Sequence, residues 1–574
     1  MRIFLLVESF NGLSQRIYAE LARGGHELAV EFDVHDAATE EGVGLFRPDV
    51  IVAPYLKRAI PRSVWSRWPC LIVHPGIPGD RGPSALDWAI LEEQTQWGVT
   101  ILQANEELDG GDIWAFETFS MRPVPKSTLY RQEVTEAAVR ALARALAAYE
   151  RGTLLPLPQC GPAVRQGVLR GRAHPPMTQA DRAIDWQTDR TAAVLKKIHA
   201  ADGAPGVRDF VCGRTVYLYG GWPEGVLRGA PGSLLGQRDG AVCRATVDGA
   251  VWITHMQAAG AGGRGLKLPA ARVLGGALAD VPEVPLAPVP AITWREIESV
   301  REGAVCHLHF PFYNGAMSTS QCRRLAEAYR QAREGDARVI VLHGGADFWS
   351  NGIHLQLIEA AQSPADESWR NIEAMDDLVL EFLSNSRQLT IAALSGNAAA
   401  GGVFLALAAD AVYARQGVIL NPHYKNMGNL YGSEYWTYLL PRRLDSEDAG
   451  RLLAGRLPLT AAAATAMGLI DGAFGYTNDA FREAIGRIAQ AWAASPFWED
   501  SLARKVAARA ADEARCPLAS YRAAELEQMR RNFYGFDRSY HVARHHFVHR
   551  TPPSRTPLYL AAHRRTRLVR KTAE

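Results

Sequence analysis

Apolar and polar residues alternate in blocks that change rhythm along the chain. Ile3-Phe4-Leu5-Leu6-Val7 is a short continuous apolar run, and residues 13–21 carry apolar positions at helical spacing before the stop at Gly24-Gly25. Val50-Ile51-Val52 and Leu71-Ile72-Val73 are further short runs that end at turn residues. Buried strands alternating with amphipathic helices predict an open α/β sheet over residues 1 to about 150. The Pro/Gly-rich stretch 154–176 reads as a linker. From 177 to about 285 short β-rich pieces (residues 215–218, 241–247 and 251–255) lie between Gly-rich turns, which predicts a small β-barrel. Pro282, Pro285, Pro288 and Pro290 are too closely spaced for a helix or a paired strand, so residues 279–290 read as a second linker. The α/β rhythm then restarts, with strands expected at 337–342 and 389–394, and helical patterns dominate from Glu447 onward.

Composition narrows the partners. The chain has 574 residues, 47% of them hydrophobic, enough for several full cores. Lys+Arg 63 against Asp+Glu 61 leaves a net charge of +2, which argues against nucleic acid as a partner. One local exception is the end of the chain, where Arg538, Arg544, Arg550, Arg555, Arg564, Arg565, Arg567, Arg570 and Lys571 face only Asp537 and Glu574. That tail reads either as a phosphate-meeting segment or as a solvated basic end. The 7 cysteines form no CxxC pair, so a reducing cytoplasm is expected, with no metal site. The apolar run at the N-terminus is too short for a signal peptide, and no run approaches the ~20 residues of a membrane span.

Two Gly-rich constellations carry the chemistry. The first is His74-Pro75-Gly76-Ile77-Pro78-Gly79-Asp80-Arg81-Gly82, answered by Leu108-Asp109-Gly110-Gly111-Asp112-Ile113. It begins just past a predicted strand, where ligands of open α/β sheets bind. Acyl transfer needs an oxyanion donor, a group that moves the nucleophile's proton, and a carboxylate that fixes that group's tautomer. His74 and Asp109 supply the last two. Together with Trp88-Ala89-Ile90 and Gly98-Val99-Thr100-Ile101, these residues resemble the 10-formyltetrahydrofolate-dependent formyltransferases. The likeness runs to about residue 285 and includes Ile184-Asp185-Trp186, similar to the start of that family's C-terminal barrel. It implies a Rossmann-like formyltransferase domain over 1–176 and an OB-like β-barrel over 177–285. Where that family has an asparagine two residues before its histidine, this chain has Ile72, whose side chain cannot donate to an oxyanion.

The second constellation is Trp349-Ser350-Asn351-Gly352-Ile353-His354-Leu355 with Gly396-Asn397-Ala398-Ala399-Ala400-Gly401-Gly402. Small residues let backbone N–H groups approach a thioester carbonyl. These loops resemble the enoyl-CoA hydratase/isomerase (crotonase) family, which implies a crotonase-fold α/β domain over 291–574 with a helical, basic C-terminus. The resemblance places the oxyanion donors at the N–H groups of Ile353 and Gly401. One hydratase glutamate position falls at Phe404 and the other near His423 or Tyr424, so paired-carboxylate hydration is not expected. The acid/base candidates are instead Tyr424 and Glu434, with His423 and Tyr431 behind them.

A formyltransferase-like half joined to a crotonase-like half without the glutamates resembles the HypX (HoxX) family of hydrogenase maturation proteins. That resemblance implies 10-formyltetrahydrofolate and coenzyme A as small-molecule substrates. It also implies formyl transfer to CoA, decarbonylation of formyl-CoA to CO for the iron of [NiFe]-hydrogenase, and contact with other maturation proteins. Two alternatives stay open: a formyl-CoA hydrolase or protein formyltransferase, and a non-catalytic folate- and CoA-binding scaffold.

Overall fold

The computed structural model describes residues 1–159, 169–260, 263–288 and 290–565. The chain divides into two compact units, Met1–Trp294 with Pro552–Glu574, and Arg295–Thr551.

The first unit opens with a six-stranded sheet of β1 (Arg2–Val7), β2 (Glu27–Phe32), β3 (Val50–Tyr55), β4 (Cys70–His74), β5 (Gln96–Gln103) and β6 (Ile113–Ser120), in the order β2-β1-β3-β4-β5-β6. β1 to β4 pair in parallel, whereas β5 and β6 join antiparallel. The apolar run Ile3–Val7 is buried on both sides, as parallel central strands require. The helix Gly12–Arg23 starts where Asn11 accepts the N–H of Ser14 through its side chain.

A second, antiparallel sheet follows: β7 (Val207–Val211), β8 (Arg214–Glu224), β9 (Leu234–Arg238), β10 (Ala241–Ala245), β11 (Ala250–Gly260) and β12 (Gly263–Pro269). Its order is β7-β8-β11-β10-β9, with β12 on β11. Among the described residues the pairing therefore runs from edge to edge and closes no ring, which refines the barrel expected here. The helix Thr191–Ala201 supplies Val194 and Ile198 to the core of this sheet.

Neither Pro-rich linker hangs free. Leu157 pairs with Ile113, and Gln159 donates to the carbonyls of Asp109 and Gly111. The N–H groups of Arg170 and Gly171 bond Pro78 O, and Arg81 N–H bonds Arg172 O. Residues 160–168 of that linker lie outside the described residues. Gln237 N–H bonds Pro282 O, and Val284 N–H bonds Gln237 O, so the second linker lies along β9. These backbone groups are paired on a neighbouring loop and a strand edge.

The tail also departs from expectation. Residues from Pro552 belong to the first unit, although the crotonase-like half was expected to run to the end of the chain. The cause is a buried carboxylate on β2: Glu31 accepts from His563 Nε2 at 2.7 Å and from Arg564 Nε at 2.9 Å, and also bonds Thr556. Arg564 is therefore committed to an internal ion pair. Arg567, Arg570 and Lys571 lie outside the described residues.

The second unit is built on β13 (Glu298–Glu302), β14 (Val305–Phe310), β15 (Val339–Gly344), β17 (Leu389–Leu394), β19 (Ala411–Arg415) and β22 (Gly472–Phe474), paired in that order. A small sheet of β16 (Phe348–Ser350), β18 (Asn397–Ala399), β20 (Ile419–Asn421) and β21 (Leu459–Thr460) carries both Gly-rich loops. The long helix Pro364–Leu383 packs on the short helix after the first loop and on the helix Leu518–Tyr534, and the helix Ser539–His549 follows. Among the described residues, no helix is long and apolar enough to cross a membrane.

Two candidate active sites

In the first unit, β4 ends at His74 and delivers its ring to the following loop. His74 Nε2 lies 2.8 Å from Asp80 Oδ2, and Nδ1 lies 3.6 Å from Asp109 Oδ2. Gly82 N–H donates to the same Asp109 oxygen at 3.1 Å. Asp109 itself adopts φ 54°, a left-handed conformation held by Gln159 gripping its carbonyl. The loop after His74 must be glycine at Gly76. A methyl there would sit 2.4 Å from His74 Nε2 and 2.3 Å from Asp80 Oδ2.

Sequence reasoning missed two members of this cluster. Asp80 sits inside the quoted motif yet was given no role. His174 sits in the supposed linker: its Nδ1 faces Asp80 Oδ1 at 3.2 Å, its Nε2 lies 3.4 Å from Glu92, and its ring stacks on Trp88 at 5.6 Å and 16°. The result is a buried row, Asp109–His74–Asp80–His174. Ile72 lies in mid-strand, paired with Ala53 and Leu102, and contributes only apolar surface.

In the second unit the two Gly-rich loops meet. A methyl on Gly352 would lie 3.5 Å from Gly401 N. The N–H groups flanking Ile353 are engaged, Gly352 N–H with Ser350 Oγ at 3.1 Å and His354 N–H with Asn371 Oδ1 at 3.0 Å, which fixes the peptide that bears Ile353 N–H. Gly401 is the first residue of the helix Gly401–Leu407, so its N–H has no partner within that helix. It follows Ala400, a non-glycine residue held at φ 49°.

Glu434 reaches this point. A methyl on Gly401 would lie 2.0 Å from Glu434 Oε1, so the carboxyl rests directly against the Gly401 backbone. Its other oxygen accepts from Tyr424 Oη at 2.7 Å and from Ser433 N–H at 3.1 Å. Tyr424 Oη also lies 3.0 Å from Ser433 O. The tyrosine ring stacks on Phe404 at 5.5 Å and 12°, and Gly432 (φ 93°) has no side chain because one would enter that ring.

The turn bearing Glu434 is strained. Glu434 and Tyr435 both adopt positive φ, 60° and 58°. Two buried carboxyls from separate helices hold it. Asp376 accepts Glu434 N–H and Ser433 Oγ, both at 2.8 Å, and Glu525 accepts Tyr435 N–H at 2.9 Å and Thr437 N–H at 2.8 Å. Strain of this kind persists where the surroundings over-determine it.

Burial and like charge set the electrostatics. Burial first, then Asp376, pushes the Glu434 carboxyl up to about 8, against the lowering effect of the Tyr424 hydrogen bond. Burial likewise raises Asp376 and Glu525 to about 7 each. Arg522, 3.7 Å from Asp376, compensates only in part. Burial and Glu434 together raise Tyr424 well above the ordinary phenol value.

Among the described residues, neither secondary candidate joins this pair by a hydrogen bond. His423 is buried, and burial followed by the cations of Arg456 and Lys425 lowers it to about 4, so its ring is neutral. Tyr431 is 39% exposed with its ring tilted on Trp436 at 5.4 Å.

Known proteins match both units. The Formyl transferase family matches residues 25–146, its C-terminal domain residues 176–262, and the Enoyl-CoA hydratase/isomerase family residues 301–530. Methionyl-tRNA formyltransferase of Variovorax paradoxus is 29% identical over 39% of this chain and 69% of its own. Two likenesses span nearly everything. Hydrogenase maturation factor HoxX of Bradyrhizobium diazoefficiens is 50% identical over 98% of this chain and 97% of its own. The crystal structure of HypX from Aquifex aeolicus in complex with tetrahydrofolic acid superposes with a TM-score of 0.94 at 48% identity, over 98% of this chain and 99% of that one. With both sites in place on one chain, and with identity sustained from end to end, the chain belongs to the hydrogenase maturation factor HoxX/HypX family.

Proposed function

We propose that this protein makes carbon monoxide for hydrogenase maturation in two steps, using 10-formyltetrahydrofolate and coenzyme A. The observation that carries the reading is Glu434: a fully buried carboxyl of raised basicity, with one oxygen against Gly401 and the other on Tyr424.

In the first step the CoA thiol attacks the formyl carbon. The N10–formyl bond breaks, the C–S bond forms, and the thiol proton ends on N10 of tetrahydrofolate. His74 moves that proton at Nδ1, which lies 3.6 Å from Asp109, while the 2.8 Å contact of Nε2 with Asp80 fixes the ring and its tautomer. Folate binding is supported by the tetrahydrofolic acid held by the Aquifex aeolicus relative.

In the second step the N–H groups of Ile353 and Gly401 receive the thioester oxygen. Glu434 Oε1 takes the formyl proton, the C–S bond breaks, CO leaves, and the thiolate recovers the proton to regenerate CoA. Tyr424 suits both states of this base. Its O–H donates to Oε2 both when Glu434 is ionised and when Oε1 carries the formyl proton. Apolar Phe404, standing at a hydratase glutamate position, keeps a second carboxylate and its water away, which spares the thioester from hydrolysis. The CO is then passed to the maturation proteins of a [NiFe]-hydrogenase.

The test is headspace CO, trapped by deoxyhaemoglobin, from purified protein given 10-formyltetrahydrofolate and CoA. CO that requires both substrates supports the reading. Formate in its place makes the protein a formyl-CoA hydrolase, formylated protein makes it a protein formyltransferase, and untouched donor makes it a binding scaffold.

A further inference from the structure

The second unit holds a cluster that neither step uses. The helix Leu355–Glu359 ends in Glu359, and the helix Ser539–His549 faces it with Arg544, His545 and His549. Glu359 divides its two oxygens by partner. Oε2 accepts Arg544 Nε at 2.8 Å, whereas Oε1 is met by both imidazoles, His545 Nδ1 at 2.8 Å and His549 Nε2 at 3.2 Å. His545 and His549 are four residues apart, so they share one helix face, and their ring centroids are 4.2 Å apart.

We propose that Glu359, His545 and His549 bind a divalent transition-metal ion of the zinc class. The three ligand atoms lie within 4.8 Å of one another. Around zinc bonded at about 2.0–2.1 Å, tetrahedral neighbours stand roughly 3.3–3.4 Å apart. The two His–Glu separations fall just below that, so small side-chain movements admit the ion. A two-histidine, one-carboxylate set of neutral and anionic ligands suits zinc, and its exposed side leaves the fourth position to water.

The carboxylate is prepared for the role. Arg544 Nε takes Oε2 at 2.8 Å, which leaves Oε1 turned to the two imidazoles. Arg544 is itself buried. It is fixed by His541 Nδ1 at 2.8 Å and lies over the Tyr540 ring, so Glu359 is oriented from behind, as outer partners orient metal ligands. The same guanidinium cancels the carboxylate charge, which keeps the affinity moderate.

The site lies six residues after Ile353 in the chain. A bound ion would tie the short helix that follows Ile353 to the helix Ser539–His549 by three coordinate bonds in place of two hydrogen bonds. In that position the metal braces the segment leading out of the first Gly-rich loop.

The experiment uses the full chain, stripped with chelator and titrated with zinc(II) against a chromophoric competitor, with cobalt(II) as an absorbing probe. One equivalent of zinc is expected, together with a tetrahedral cobalt spectrum and a rise in thermal midpoint at saturating zinc. His545→Ala and His549→Ala, each checked for native circular dichroism, lower the affinity at least about tenfold, a loss that removal of a supporting contact alone already produces. No zinc uptake overturns the proposal, and so does uptake of equal affinity in both histidine variants.

Discussion

The two sites surround their titratable groups with opposite arrangements of charge. In the first unit a histidine stands between two carboxylates, and one of those carboxylates also faces a second histidine. Every group there has a partner of the opposite type. In the second unit three carboxyls (Asp376, Glu434 and Glu525) are buried near one another, with Arg522 the cation on Asp376. Opposite partners suit a proton that is passed along and returned within one transfer. Like partners in a dry site suit a base that must take hydrogen from carbon, because destabilising the carboxylate raises its hunger for a proton.

The sharpest way to break this comparison is to disable one side alone. Glu434→Gln keeps the shape and removes the base. CO release from supplied formyl-CoA should fall about 100- to 10,000-fold, the range for a general base, while formyl-CoA still forms from 10-formyltetrahydrofolate and CoA. Undiminished CO would remove Glu434 from the mechanism. His74→Ala should give the mirror image, with formyl transfer reduced by about 100-fold or more and CO release from supplied formyl-CoA retained. Loss of both activities in either variant would mean that the two sites do not act independently.

How much of this was legible in sequence follows from the physics of each residue. The loop glycines were legible because close approach leaves glycine as the one acceptable choice, and His74 and Asp109 lay in those loops, whereas Tyr424 and Glu434 lay farther along the chain in a separate polar segment. Asp376 and Glu525 were hidden within amphipathic helices, where an acid reads as a solvated face. Their phase held the signal. Asp376 falls on the buried face with Ile372 and Val379, and Glu525 falls in line with Met529 and Phe533. A carboxyl on a core stripe should have been read as a buried partner. His174 was hidden for another reason: a Pro/Gly-rich segment carries no periodicity, so nothing local indicates that it folds back to Asp80. The tail's return to Glu31 was equally invisible, since an ion pair across more than 500 positions leaves no local pattern.

Asp80 sharpens the comparison at a lower amplitude. If the row Asp109–His74–Asp80 works by holding the ring, Asp80→Asn should slow formyl transfer by up to about 100-fold, since misplacing a catalytic group by a fraction of its contact distance costs on that order. The loss should appear in kcat rather than in folate KM, and the pH profile should change shape, which a merely structural residue would not produce. An unchanged profile with a lower thermal midpoint would reduce Asp80 to packing.

The smallest effect discriminates best, because it reads the buried carboxyls directly. With Glu434 held near 8, the ionised base becomes scarcer below that point, so CO release from supplied formyl-CoA should fall about tenfold per pH unit on the acid side of about 8. Stability should move the other way. Glu434, Asp376 and Glu525 have folded values of about 8, 7 and 7, all above an ordinary carboxyl near 4 to 4.5. Between the ordinary value and the raised one, the folded chain binds more protons than the unfolded chain, so their contribution is fully present below about 4 and is lost as pH rises to about 8. The thermal midpoint of the second unit should therefore decline across that window while decarbonylation quickens, and Glu434→Gln should flatten part of the decline. A midpoint that instead rises from pH 5 to 8 by the same amount in both proteins would show that the three carboxyls are ionised without cost. The contrast between a compensated and an uncompensated site would then fail at its physical root.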